Sequence, residues 1–320
     1  MRDVDIELNN NPRCKAEIEH VLKGESWNMK NIPFIKVKGF NFEDGNKTMR
    51  LIFKEEILTE EEIEIRQNKF SKKIELEKPL DNPEEIEVKI GSDFQRKIPI
   101  ELKKLFGKAT YFDGTLISNP IVSVGGKMIA VGDERSNYEI FLSKEEEKIM
   151  VFDKGYSKER LECWLYDVKL KEDTKLDVNI GGLEVYELGA WLGYTSLYIH
   201  FVPMLITKMN AVVEREPSLK KGNLKDQDIF HYPEAWPHLN KEDVKVFIGG
   251  NEVPIKTFNE FDDFLGEKEN EKFTRPGYII GIAREDFKED IIKIQIEKQI
   301  ELEDEDVLEK GEGYYIGFVE

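Results

Sequence analysis

Two imidazoles and a carboxylate, His231, Glu234 and His238, fall within one short stretch, FHYPEAWPH. Such a set closes a zinc site only if a helix or hairpin brings the three groups onto one face, and Pro233 and Pro237 interrupt helical spacing. Tyr232 and Trp236 share this Pro-stiffened stretch, and rings held on a stiff backbone lose little entropy on binding. It therefore reads first as a connector packing its rings on a domain, and second as a partner-binding loop made of His231, Tyr232, Trp236 and His238. A metal is not expected there. Nor is one expected at Asp226-Gln227-Asp228 or Asp304-Glu305-Asp306, which lie in acid-rich runs where a solvated face is the natural reading.

Glu87-Val88-Lys89 and Asp167-Val168-Lys169 have the acid-apolar-lysine order of a nuclease strand, in which the acid would hold a divalent metal. Alternating strands in a chain with 35% charged residues generate this triplet by composition alone. His200, inside the apolar run Tyr198–Ile206, is expected to be a hydrogen-bonded core imidazole. A phosphate-binding loop, a dinucleotide fingerprint, HExxH and GxSxG are absent, and the two cysteines, Cys14 and Cys163, cannot form CxxC. An enzyme is therefore the weaker expectation, and no cofactor is expected.

Charge narrows the choice of partner. With 47 Lys+Arg against 65 Asp+Glu, the chain carries a formal charge of -18, which argues against direct nucleic-acid binding and for a basic protein partner. From Asp226 onward there are 25 acids and 11 bases, so most of the excess lies in the C-terminal part. Asp262, Asp263, Glu303, Asp304 and Asp306 are accordingly candidate contacts to that partner, beside the aromatic loop. The scarcity of cysteine and the polar N-terminus lead to an expected cytoplasmic location. Leu188–Thr207 is free of formal charge, but its Gly, His200 and Pro203 fit buried core better than a membrane span, so no membrane contact is expected.

The elements that must position these residues read as strands. Alternation is clear at Phe34–Phe40, Ile86–Ile90, Tyr138–Leu142 and Ile292–Ile296. Glu43-Asp44-Gly45-Asn46 and Gly249-Gly250-Asn251 should each join two antiparallel strands. Helices are expected at Arg13–Lys23, Pro99–Phe106, Ser157–Tyr166 and Phe258–Leu265, the last from apolar residues at 258, 261, 264 and 265. Glu85–Gly107 resembles Asp243–Gly266 at an offset close to half the chain, which suggests tandem duplication.

The expected fold is thus α+β and β-rich: two tandem, duplicated domains of antiparallel sheet with short helices, residues 1–155 and an acidic 156–320. The expected function is that of a non-catalytic protein-binding module, an inhibitor or toxin-neutralising immunity-type protein of a bacterium or phage, acting as monomer or dimer. A structural assembly component of a phage or secretion particle, and a metal-dependent hydrolase or nuclease, are the alternatives.

Overall fold

The computed structural model describes residues 2–20, 25–157, 160–207, 235–268, 271–287, 291–301 and 306–317. His231, Tyr232, Glu234, Asp226, Asp228, Glu303, Asp304 and Glu305 lie outside them.

The first hundred residues fold as two facing sheets. One has the order β1 (Asp3–Asn9), β4 (Phe34–Phe40), β7 (Lys69–Glu75); the other has β6 (Glu56–Ile65), β5 (Gly45–Phe53), β8 (Glu85–Ile90), β9 (Phe94–Pro99). Alternate residues of each strand point inward, so Ile35, Val37, Met49, Leu51, Ile86, Val88 and Ile90 form one dry core. A hairpin of β2 (Cys14–His20) and β3 (Glu25–Asn31) leaves this sandwich. It sets Ile18, Trp27 and Met29 against Ile121, Met128 and Phe152 of the next module.

Eight of the remaining strands share one long sheet. Its order is β12 (Lys127–Val131), β11 (Ile121–Val124), β14 (Glu146–Phe152), β15 (Cys163–Val168), β25 (Asp306–Tyr315), β24 (Ile292–Glu301), β20 (Val244–Ile248), β21 (Asn251–Val253). At its centre β15 and β25 run parallel, with Trp164 opposite Gly313 and Tyr166 opposite Tyr315. A small sheet of β10 (Lys103–Tyr111), β13 (Asn137–Leu142), β16 (Thr174–Lys175) and β17 (Val178–Ile180) packs with Leu165 and Tyr314. The sheet β18 (Leu183–Leu192), β19 (Ser196–Leu205), β23 (Glu271–Ala283), β22 (Ile255–Lys268) packs with Tyr166 and Tyr315. Neighbouring residues of one strand face opposite sides, so the two covering sheets lie on opposite faces of the long one. Gly311 and Gly313 let β18 come close, since a Cβ on Gly311 would sit 2.1 Å from the Leu183 carbonyl oxygen.

β-rich is correct, and the four alternating segments are β4, β8, β13 and β24. The α component is a correction: none of the four segments expected as helices is helical in its described part. Arg13–Lys23 carries β2, Pro99–Phe106 runs into β10, Ser157–Tyr166 enters β15 and Phe258–Leu265 lies within β22. The three-residue apolar spacing in β22 serves two faces. Phe258 packs on the main core, Phe261 on the other face lies against Gly277, and Phe264 is exposed.

Gly249-Gly250 does form the tight hairpin between β20 and β21, with Ile248 opposite Asn251 and both glycines at positive φ, the type I′ requirement. Glu43–Asn46 does not join paired strands, because β4 and β5 belong to opposite sheets. The two similar segments share a strand–turn–strand at a sheet edge, β8–β9 and β20–β21, after which the chain leaves for another sheet as β10 or β22. The expected division near residue 155 falls between β14 and β15, which are hydrogen-bonded neighbours. Within Leu188–Thr207 the chain forms most of the β18–β19 hairpin, and no helix among the described residues is long and apolar enough to cross a membrane.

Candidate functional site

Of the candidate partner contacts that are described, Trp236, His238, Asp262 and Asp263 come together at the β22–β23 ribbon, and Asp306 does not. These strands are 14 and 13 residues long, but β19 pairs only with Tyr278–Ala283 of β23, so the part nearer the turn reaches beyond the sheet. Alternation along β22 sends Phe258, Glu260, Asp262 and Phe264 to one side and Thr257, Asn259, Phe261 and Asp263 to the other.

On the first side Glu260 anchors a polar network. One carboxylate oxygen lies 2.9 Å from His238 Nδ1, and the other accepts the Tyr278 hydroxyl at 2.7 Å. The same hydroxyl oxygen accepts the Leu239 N–H at 2.7 Å. Burial and the Glu260 contact both push the Tyr278 phenol upward. His238 is itself well exposed. Beyond it Asp262 is exposed with no cation in ion-pair range among the described residues, and Phe264 is 59% exposed.

The opposite side is internally neutralised. Arg275 is buried and bonds Asp263 at 2.7 Å and Glu187 at 2.8 Å. Its guanidinium lies 5.0 Å from the Trp236 ring centroid. Burial opposes the charge on Arg275, but the two carboxylates outweigh it and hold the guanidinium ionised. Asp263 is therefore committed to an internal pair. Trp236 is only 2% exposed, packed with Leu161, Val202, Met204 and Ile206, so its ring is core rather than a surface anchor. Asp306 is exposed at the start of β25, opposite Glu301. His200 is half-buried, its Nδ1 3.1 Å from the Glu187 carbonyl oxygen, with Phe261 beside it.

The nuclease-like triplets do not converge. Glu87 is engaged by Gln95 and Lys89, whereas Asp167 accepts the Tyr315 hydroxyl at 2.7 Å in another module. Among the described residues no group of three or more His, Cys, Asp and Glu is arranged to hold a metal. Cys163 is buried, which drives its thiol upward and keeps it protonated and inert.

One cluster was not singled out from the sequence. Glu162 and Glu184 are both buried, 3% and 0% exposed, at the join between β15 and β18. Glu162 accepts a hydrogen bond from the Tyr156 hydroxyl at 3.3 Å, and Glu184 accepts from Trp164 Nε1 and from Tyr186. Among the described residues the second oxygen of each has no hydrogen-bond partner. Burial pushes Glu162 up to about 7; burial and the nearby Glu162 charge push Glu184 well above the usual carboxylate range. The signal in the sequence is an acid flanked by apolar residues, Leu161-Glu162-Cys163 and Leu183-Glu184-Val185, within a chain otherwise crowded with solvated acids.

No protein family model matches the chain, and no curated protein does. Among solved structures it is similar to a DUF3823 family protein from Parabacteroides merdae, at 11% identity over 62% of this chain and 90% of that one, with a TM-score of 0.20. It is also similar to a putative carbohydrate binding protein from Bacteroides uniformis, at 8% identity over 66% and 95%, again with a TM-score of 0.20. A bacterial ice-binding adhesin matches over 99% of this chain and 98% of its own at 8% identity, with a TM-score of 0.18. Likeness at this level carries no inference about function.

Proposed function

We propose that this chain is a non-catalytic binding protein whose C-terminal module engages a basic protein partner. The observation that carries the reading is the row on one side of β22, where Glu260, Asp262 and the exposed Phe264 stand side by side and Asp262 lacks a neutralising cation among the described residues. Acids flanking an exposed ring combine long-range attraction for a basic surface with an apolar contact once the surfaces meet. An inhibitor or immunity-type role is one form such binding could take.

The test is binding of the immobilised full chain to lysozyme and cytochrome c as basic probes, with ovalbumin as an acidic control, across a range of ionic strength. The reading expects binding of the basic probes that weakens with salt and weakens further in Asp262→Lys. Failure to bind either basic probe at low ionic strength, or binding indifferent to salt, would overturn it.

A further inference from the structure

We infer that the outer edge of β22 is a strand-addition site for an extended, lysine- or arginine-bearing segment of a partner protein, seated along Thr257–Phe264. This rests on the basic-partner reading above and specifies how the partner is held.

β22 is the terminal strand in the order β18-β19-β23-β22, and among the described residues β23 is its only strand partner. Its register slips at Ile255/Thr257 and again at Phe264/Gly266, while Thr257–Phe264 pairs with β23 without interruption. Two irregularities thus frame a straight edge about 27 Å long, at roughly 3.4 Å per residue. Folded proteins usually blunt such an edge with charges, lysine above all, or with proline or a bulge inside the exposed run. Thr257–Phe264 contains no lysine, proline or bulge. Its charges, Glu260, Asp262 and Asp263, are acids that repel acidic or like edges but not a basic strand.

The other long acidic edge strand shows the contrast. On β6, Glu60 is bonded by Arg50 at 2.6 Å, Glu61 pairs with Lys72 at 3.0 Å, and Glu62 accepts the Thr48 hydroxyl at 2.6 Å. That edge is neutralised from its own module. On β22 Glu260 meets the His238 imidazole and the Tyr278 hydroxyl, and among the described residues no lysine or arginine lies in ion-pair range of Glu260 or Asp262. An incoming strand with a cation at every second residue would set those cations beside Glu260 and Asp262, and opposite-charge cross-strand pairs favour that alignment. Its main chain would supply the hydrogen bonds that the edge lacks among the described residues. A second copy of this chain joined edge to edge would instead oppose acids to acids, which disfavours self-pairing.

The experiment uses the full chain and two probes: a short peptide of alternating lysine and valine, and the same peptide N-methylated at alternate residues to remove its strand hydrogen bonds. Amide hydrogen exchange maps the contact. The expected result is slowed exchange within Thr257–Phe264 on adding the plain peptide. The methylated peptide should bind about tenfold or more weakly, from two or more lost bonds of about 1 kcal/mol each. Equal binding of the two peptides, or protection confined to other segments, overturns strand addition while leaving the basic-partner reading in place. No binding of the plain peptide also overturns it, and the basic-protein panel then decides separately whether the broader reading survives.

Discussion

Replacing Glu162 by Gln should stabilise the protein above neutral pH and leave it almost unchanged in acid. Glu162 is buried against Tyr156 and close to Glu184, and its carboxyl is raised from an ordinary 4.5 to about 7 by loss of hydration. The folded state therefore holds this proton more tightly than the unfolded chain does. Below about pH 4.5 both states are protonated and nothing is lost; as the pH rises towards 7 the folded protein binds the extra proton and its stability falls. The gap between 4.5 and about 7 corresponds to about 3 kcal/mol, reached once the pH passes the folded value. Glu184 adds to the loss in the same direction, and removing the neighbouring charge at 162 also relieves Glu184. Gln keeps the shape and can still accept from Tyr156 but cannot ionise. Urea unfolding of wild type and E162Q at about pH 4 and about pH 8 should give nearly equal stabilities in acid and a variant more stable by about 3 kcal/mol in base. Carboxylates elsewhere cancel in the difference. A gap between the two proteins that does not change with pH would refute the assignment of a buried, protonated Glu162.

Four further outcomes are expected. Gly311→Ala should cost about 1–3 kcal/mol or more, measured by denaturant midpoint, because its Cβ would collide with backbone of β18 that cannot swing aside. Trp236→Ala should cost about 3–5 kcal/mol as a core truncation, with any loss of affinity for basic probes tracking only the unfolded fraction. Arg275→Met should destabilise by about 1–3 kcal/mol through unpaired Asp263 and Glu187, and a cycle with Asp263→Asn should recover part of that. Asp262→Lys should change stability by no more than about 0.5 kcal/mol in thermal melts while reducing association with basic probes and its salt dependence.

Strands with a single buried face were legible in the sequence. Phe34–Phe40 and Ile292–Ile296 alternate strictly because one side meets a core and the other meets solvent or long polar chains. Gly249-Gly250 was legible because a two-residue hairpin demands positive φ at both positions. Phe258–Leu265 was not, since a strand using both its faces loses the two-residue period and its apolar residues fall by chance at helical intervals. Lys104 and Phe106 show the same ambiguity in β10: the ammonium lies 4.7 Å from the ring centroid, a same-face i, i+2 contact available only to a strand. The site was half legible. Acid counting pointed to the residues from Asp226 onward without singling out the ribbon, and nothing local separates Asp262, which is exposed, from its neighbour Asp263, whose fate depends on Arg275 twelve residues on. Trp236 was hidden for a similar reason, because its burial is set by β19 and the Leu161 segment, both distant in sequence.

The parallel pairing of β15 with β25 also constrains the order of folding. Trp164 and Gly313 become neighbours only after about 150 residues of chain have been made between them. Closing a loop of that length costs conformational entropy before any contact rewards it, so the central seam is expected to close late, an order that pulse-labelled hydrogen exchange during refolding would check. Until then β14 and β15 form a sheet with a bare edge, and Tyr166 lacks the neighbour strand that later covers it. A ribosome-bound chain ending short of residue 306 would carry that edge open to any passing strand. Its greatest exposure to aggregation would therefore come during synthesis, just before β25 arrives.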